Sequence, residues 1–293
     1  MREKEKKMSV YKCFKSGIQQ GFSRWRLAFY LWMIFLLVSL ITVVPLLSII
    51  GKNLGHSLLG QPVAMPFELS LVEIFLNNQT LLGPYISLLL LFGLVLSFFS
   101  VFLNGGLFGR TLSAEKTNLR DFLADGTRFF WRFFLSLLAF IPFLLILLIL
   151  YRILVSPLNL WTEKAVTEWP LIIASNLRMV FFLLLWTIFR LSLDLVRIIL
   201  VKEDSRVIPS LRATFLFLRQ HFFEFWGLFL LLGLVYLLLT LGFFFLGKLF
   251  SSQQLAGIIM TIILGQAQVF FRMLARIVFI SAESCYYMVK KQN

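Results

Sequence analysis

Six long apolar runs constrain this chain more than any other feature: residues 27–50, 84–109, 133–155, 178–200, 225–247 and 255–280. A bilayer core of about 30 Å takes about 20 apolar residues in helical form, and every run is long enough. In lipid each backbone amide must be paired internally, which leaves helices or a closed barrel. The runs are continuous, without apolar/polar alternation, so a barrel is excluded. The expected fold class is all-α, a polytopic membrane protein of six transmembrane helices. Residues 1–26 form a basic amphipathic segment, 27–280 the membrane domain and 281–293 a tail.

Composition agrees. Hydrophobic residues make up 59% of the chain and charged residues 14%, against about 45–50% and about 25% in soluble domains. So few charges leave the bilayer as solvent for much of the surface. The formal charge of +14 does not indicate nucleic acid, because the basic residues lie between the runs rather than on one compact face. It suits anionic lipid headgroups. The first apolar run, 24 residues after a basic start, exceeds the roughly 7–15 of a signal-peptide core and is expected to remain as an anchor.

Lysine and arginine set the orientation. Residues 1–26 hold eight of them, 110–132 five and 201–224 four, and the tail adds Lys290 and Lys291. The alternate connections are poor in both. Both termini are therefore expected in the cytoplasm. Cys13 and Cys285 fall near that side, so two ordinary thiols are expected rather than a disulfide.

The three basic segments resemble one another: FKSGIQQGFSRWRL, FLADGTRFFWRFFL and LRATFLFLRQHFFEFW. Each mixes aromatic and basic residues and runs into a long apolar helix. Such a segment suits an amphipathic helix in the headgroup layer, aromatics down, bending into the next span as an elbow. Runs four and six also end alike, LVRIILVKEDS and LARIVFISAES, matching Arg197 with Arg276 and Asp204 with Glu283. Two readings stay open: three pseudo-repeated hairpins about an axis along the membrane normal, or the bias of any interfacial helix end towards Arg and aromatics.

One run carries charge where charge is costly. Residues 183–204 read LLLWTIFRLSLDLVRIILVKED. Arg190, Asp194 and Arg197 are spaced i, i+4, i+7 and share a helix face. Each mid-bilayer charge costs at least about 2.5–3.5 kcal/mol on insertion scales, so a common stripe lets the acid offset the bases. Run six adds Gln266, Gln268, Arg272 and Arg276. Four arginines against one aspartate suit an anion such as a lipid phosphate. The competing account is structural ion pairing, with arginines snorkelling to the interface and Arg178 left awkward. A functional cluster is expected to line a polar cavity open to the cytoplasm. In run two, Gly105 and Gly109 make a small-residue motif for close helix packing. Pro45 and Pro142 read as kinks, and Pro84 as a first-turn residue.

The chain has no HExxH and no Walker motif, and no GxSxG nucleophile signature. Its two histidines fall on opposite sides of the membrane. No catalytic residue, metal site or cofactor is expected. The elbow GTRFFWRFFLSLL and the segment DLVRIILVKEDSRVIPSLRATFLFLRQHF resemble those of a loose group of bacterial six-helix integral membrane proteins. They are similar to the membrane domain found ahead of some glycerophosphodiester phosphodiesterases. The resemblance implies that fold and a bacterial cytoplasmic membrane, not the phosphodiesterase activity, whose catalytic domain the sequence lacks. Two functions are expected: a non-enzymatic protein that binds or moves an anionic amphiphile or lipid through Arg190, Asp194, Arg197, Arg272 and Arg276; or an accessory subunit that docks a membrane or ATPase partner at residues 201–224.

Overall fold

A computed structural model describes residues 2–54, 79–113, 118–163, 167–250 and 255–292. The sequence Asn78-Gln79-Thr80, which matches a glycosylation sequon, begins outside them. Among the described residues eight helices follow one another: α1 (Arg2–Ser23), α2 (Trp25–Leu54), α3 (Gln79–Leu112), α4 (Leu119–Ala139), α5 (Ile141–Glu163), α6 (Trp169–Lys202), α7 (Val207–Phe250) and α8 (Leu255–Gln292). Five helical stretches are long and apolar enough to cross a membrane: Leu90–Leu112, Leu119–Glu163, Trp169–Lys202, Val207–Phe250 and Ala256–Gln292. A sixth is reached when Val10–Ser23 and Trp25–Ile41, bent by 62° to one another, count as one broken span.

Each aromatic-basic segment lies at or near a break in its helix. The first falls at Arg24, between α1 and α2. The second falls at Phe140, whose N–H bonds Ser136 O and Leu137 O as α4 closes. The third is a kink inside α7 at His221, with φ −126° and ψ 18°. The apolar part of the third run therefore starts at Ile141, not at residue 133. The reason is a stripe in α4: Phe122, Gly126, Phe129, Phe133 and Ser136 are buried, so the amphipathic helix continues until its inward face is used up. Pro142 then falls in the first turn of α5, where its missing N–H costs nothing. Pro84, by contrast, lies inside α3, because that helix begins at Gln79.

The elbows do not spend their inner faces on lipid. α1 packs along α8, α4 along α3, and α7 against α6 and α8. The buried stripes of α1 and α7 share one spacing, i, i+4, i+8: Cys13, Gly17 and Gly21 in α1, and Ser210, Thr214 and Leu218 in α7; that of α4 runs Phe122, Gly126, Phe129 and Phe133. Small residues set the approach. A Cβ at Gly17 would lie 2.5 Å from Ala282 Cβ, and one at Gly21 would lie 2.3 Å from a Val278 methyl. Gly105, Gly106 and Gly109 of α3 meet Gly126, Phe122 and Asp125 of α4 in the same way. The expected packing role of Gly105 and Gly109 is thus what the structure shows.

The core sits at one end of the molecule. In α6 residues 191–200 are all buried, while most of 169–190 is exposed or half-buried. Residues 274–287 of α8 and 101–111 of α3 bury in the same zone, and the three helices touch pairwise there. Residues 281–292 are therefore no free tail. They continue α8, burying Ala282, Glu283, Tyr286 and Tyr287. The same packing overturns the expectation of two separate thiols. Cys13 of α1 faces Cys285 of α8 with Cα atoms 5.5 Å apart, and the two are joined as a disulfide. Their helices lie side by side although 272 residues separate them in sequence.

The turn after α6 is stapled on both sides. Asp204, at φ +46°, pairs with Arg132 and Arg128 of α4. Glu203 accepts hydrogen bonds from Tyr287 and from Lys291 Nζ at 2.6 Å. Residues 207–224 continue in α7 rather than forming a docking loop. The hydrogen bond from Arg132 and its charge hold the Asp204 carboxyl below its ordinary value. Burial pushes Glu203 up, and the bonds from Lys291 and Tyr287 more than offset it.

Two predictions follow from this packing. Gly17→Val is expected to push α1 off α8 and to cost about 1–3 kcal/mol, as overpacking does. Gly233→Ala, in open space within α7, is expected to be neutral or to stabilise by about 0.4–1 kcal/mol. Thermal midpoints in detergent, with limited proteolysis of α1, check both. For the staple, both folded carboxyls lie below their unfolded values, so their contribution is complete above about pH 4.5. It is lost as the pH falls through the lower folded values. The double variant Glu203→Gln, Asp204→Asn should therefore lose midpoint at pH 7 and converge on wild type as the pH falls through the folded values. A constant gap across that range counts against the staple.

Candidate functional site

The site grows from the charged stripe of α6. At i, i+4, i+7 its three side chains do share a face, and the face turns inward. Asp194 is fully buried. Arg190 Nε lies 3.3 Å from its Oδ2, and Arg197 lies 3.8 Å from its Oδ1. The strongest partner comes from α8. Arg276 donates from both terminal nitrogens, at 2.5 Å to Oδ2 and 2.7 Å to Oδ1. A planar fork on a carboxylate gives two parallel charge-assisted bonds and fixes orientation as well as distance.

Helix α3 supplies an aromatic floor. The guanidinium of Arg276 lies 5.4 Å from the centroid of the Phe108 ring, and that of Arg197 lies 5.9 Å from it. Arg197 is also 5.5 Å from the centroid of Phe133, in α4. Ring faces attract cations, more strongly where water is excluded. Sequence reasoning missed Phe108 and Phe133, because nothing in the spacing brings either phenylalanine to α6.

A second buried acid was also missed. Glu283 lies two turns beyond Arg276 on α8 and is fully buried. Neither carboxylate oxygen has a hydrogen-bond partner among the described residues. The matched Asp204 is exposed and paired to α4, so the alignment of the two helix ends does not carry over to their surroundings. Arg178 sits apart, reaching Thr162 Oγ1 at 3.3 Å. Arg110 is likewise spent elsewhere, with its Nε 2.5 Å from Asp125 Oδ2.

Beside the cluster is a cavity of about 610 Å³. Arg190, Arg197, Arg272 and Arg276 all line it, with Ser100, Asn104 and Tyr236, and no carboxylate does. The remaining wall is apolar, including Leu31, Phe35, Trp186, Phe189, Phe229 and Phe279. Arg272 belongs to this cavity rather than to the Asp194 group, since no ion pair joins it to any described carboxylate. Gln266 is exposed farther along α8 and accepts a 3.1 Å bond from Trp32. Towards the basic end a buried layer follows the cavity. Fully buried Phe108, Ile198, Ile199 and Ile277 lie next along their helices. Among the described residues no group of three His, Cys, Asp or Glu side chains could hold a metal ion.

Asp194→Ala should be the most damaging change here. It strands the Arg276 fork and the buried Arg197, and removing one partner of a buried pair costs about 3–5 kcal/mol. Asp194→Asn, which keeps the shape and one acceptor but turns an NH2 donor towards the Arg276 fork, should fall between it and wild type. Membrane accumulation and the thermal midpoint in detergent measure the order.

Compared with known proteins, the chain matches no protein-family description, no curated sequence and no solved structure.

Proposed function

We propose that this multi-pass membrane protein is a non-enzymatic binder of an anionic amphiphile, holding the head at Arg190, Arg197, Arg272 and Arg276. The cavity carries the reading. It presents four guanidiniums and no lining carboxylate, under walls suited to an acyl or prenyl chain. Asp194 engages Arg276 most closely, which leaves Arg272 and the half-exposed Arg190 with donors for a phosphate or carboxylate. Guanidinium forks match that geometry.

In this reading the chain crosses the membrane six times, with the bent α1–α2 pair as the first span. The packed basic end faces the cytoplasm, as the positive-inside rule directs. Three hairpins then surround a pseudo-axis. α3, α6 and α8 touch pairwise, with α1 packed on α8, α4 on α3, and α7 on both α6 and α8. The matching i, i+4, i+8 stripes of α1 and α7 support this repeat more than the charged helix ends do.

Native mass spectrometry of the detergent-purified protein tests the function. Wild type is expected to keep a phosphate-bearing lipid under conditions that strip bulk lipid. Arg190→Ala with Arg272→Ala should lower its occupancy at least about tenfold, since a lost charged hydrogen bond costs about 1.5–3 kcal/mol. Neither substitution touches the Arg276 fork, so accumulation should be unchanged. Equal retention in both proteins overturns the binding reading and favours the accessory-subunit role.

A further inference from the structure

A second cavity of about 350 Å³ lies at the basic end, beyond the buried layer. It shares no residue with the arginine-walled cavity. Four helices build it. Gln20 and Arg24 come from the end of α1 and its bend, Thr111 and Leu112 from the end of α3, Lys202 from the end of α6, and Ser281, Ser284 and Gln292 from α8.

Its cations are held in place by the end of α3. The last four carbonyls of a helix lack intrahelical partners. Arg24 donates to Arg110 O at 2.8 Å, to Thr111 O and to Ser113 O at 2.6 Å, while Lys202 donates to Leu112 O at 2.9 Å. These bonds use three of the five N–H groups of Arg24 and one of the three of Lys202. Two donors remain on each. The ends of α3 and α6 together present roughly one negative charge as helix dipoles. The two full cations exceed it, and among the described residues no carboxylate lines the cavity.

The hydroxyls give the second, independent observation. Thr111 and Ser281 are each 2% exposed, and neither Oγ atom has a hydrogen-bond partner among the described residues. Leaving a buried polar group unmade costs about 1–3 kcal/mol. Both Oγ atoms are closed to solvent as they stand, so each reaches an oxygen acceptor by rotating about χ1. The spare donors of Arg24 and Lys202 suit the same acceptor. We infer that this cavity is a second anion site, which takes one phosphate group through Arg24, Lys202, Thr111 and Ser281. Its volume admits a phosphate with a small polyol and has no room for acyl chains. The phosphate comes either from solution or from the head of a lipid.

Two arms separate those sources. In a detergent free of anionic lipid, inorganic phosphate is compared with chloride at equal ionic strength. In nanodiscs, phosphatidylglycerol is compared with phosphatidylcholine. The thermal midpoint should rise in the first arm for a free-phosphate site, or only in the second for a headgroup site. Ser281→Ala with Ser284→Ala is expected to fold as well as wild type, because it removes an unpartnered buried hydroxyl, and to weaken the response at least about fivefold. Ser281→Ala alone, read by ³¹P line broadening of added phosphate, is the second measurement should the double variant accumulate poorly; broadening equal to wild type overturns the inference. Arg190→Ala with Arg272→Ala should leave the response intact. A response lost only in that arginine pair assigns the anion to the larger cavity and overturns the inference. No response in either arm overturns it too, leaving water on the hydroxyls.

Discussion

The packed end of this protein depends on one buried carboxylate. Asp194 has no contact with solvent, and an isolated charge there would not survive the loss of hydration. The fork from Arg276 answers that cost, and it does so only at one register of α6 against α8. Phe108 then lies under both Arg276 and Arg197 and brings α3 into the same group. A purely apolar contact among these helices would tolerate sliding. The ionic one allows a single alignment, a role best attested for buried polar groups in helical assemblies.

The elbows follow from how aromatic residues are divided. Read as surface helices, they would place their phenylalanines in lipid. The structure instead sends Phe122, Phe129 and Phe133 into the protein and leaves Trp131 outside. Burial between helices gains ring contacts that lipid does not supply, such as Phe108 against Phe133 at 5.6 Å. In α1 the same purpose is met by removing side chains: Gly17 and Gly21 let the backbone rest on Ala282 and Val278. One helix fills its groove and the other narrows it, yet both close on the C-terminal half of a central helix.

Much of this was legible because lipid simplifies the code. Unbroken hydropathy gave the helices, and the i, i+4, i+7 rule put Arg190, Asp194 and Arg197 on one face. What escaped depended on tertiary neighbours. No local pattern shows that Arg276 rather than Arg190 holds Asp194 most tightly, or that Glu283 is buried while Asp204 is exposed. The Cys13–Cys285 pair was hidden for the same reason, since it exists only because α1 returns along α8. Gly17 and Gly21 were visible in FKSGIQQG, but an amphipathic reading drew attention to the aromatic and basic residues around them. The start of α5 was misplaced because Phe133 and Phe134 look alike in sequence, although only the first is fully buried.

A bundle fastened at one end has a geometric consequence for any ligand. The helices touch where α3, α6 and α8 converge, and farther along most of their residues face outward. A cavity therefore opens among the apolar halves while the buried layer at Phe108, Ile198 and Ile277 separates it from the basic end. In the proposed reading, an amphiphile reaches the four arginines head first from among the apolar halves, past Trp186, Phe189 and Phe229. Passage beyond the arginines would require the Asp194–Arg276 fork to open, and that is the contact the fold can least spare. On the proposed function, the protein would then hold an amphiphile rather than conduct it.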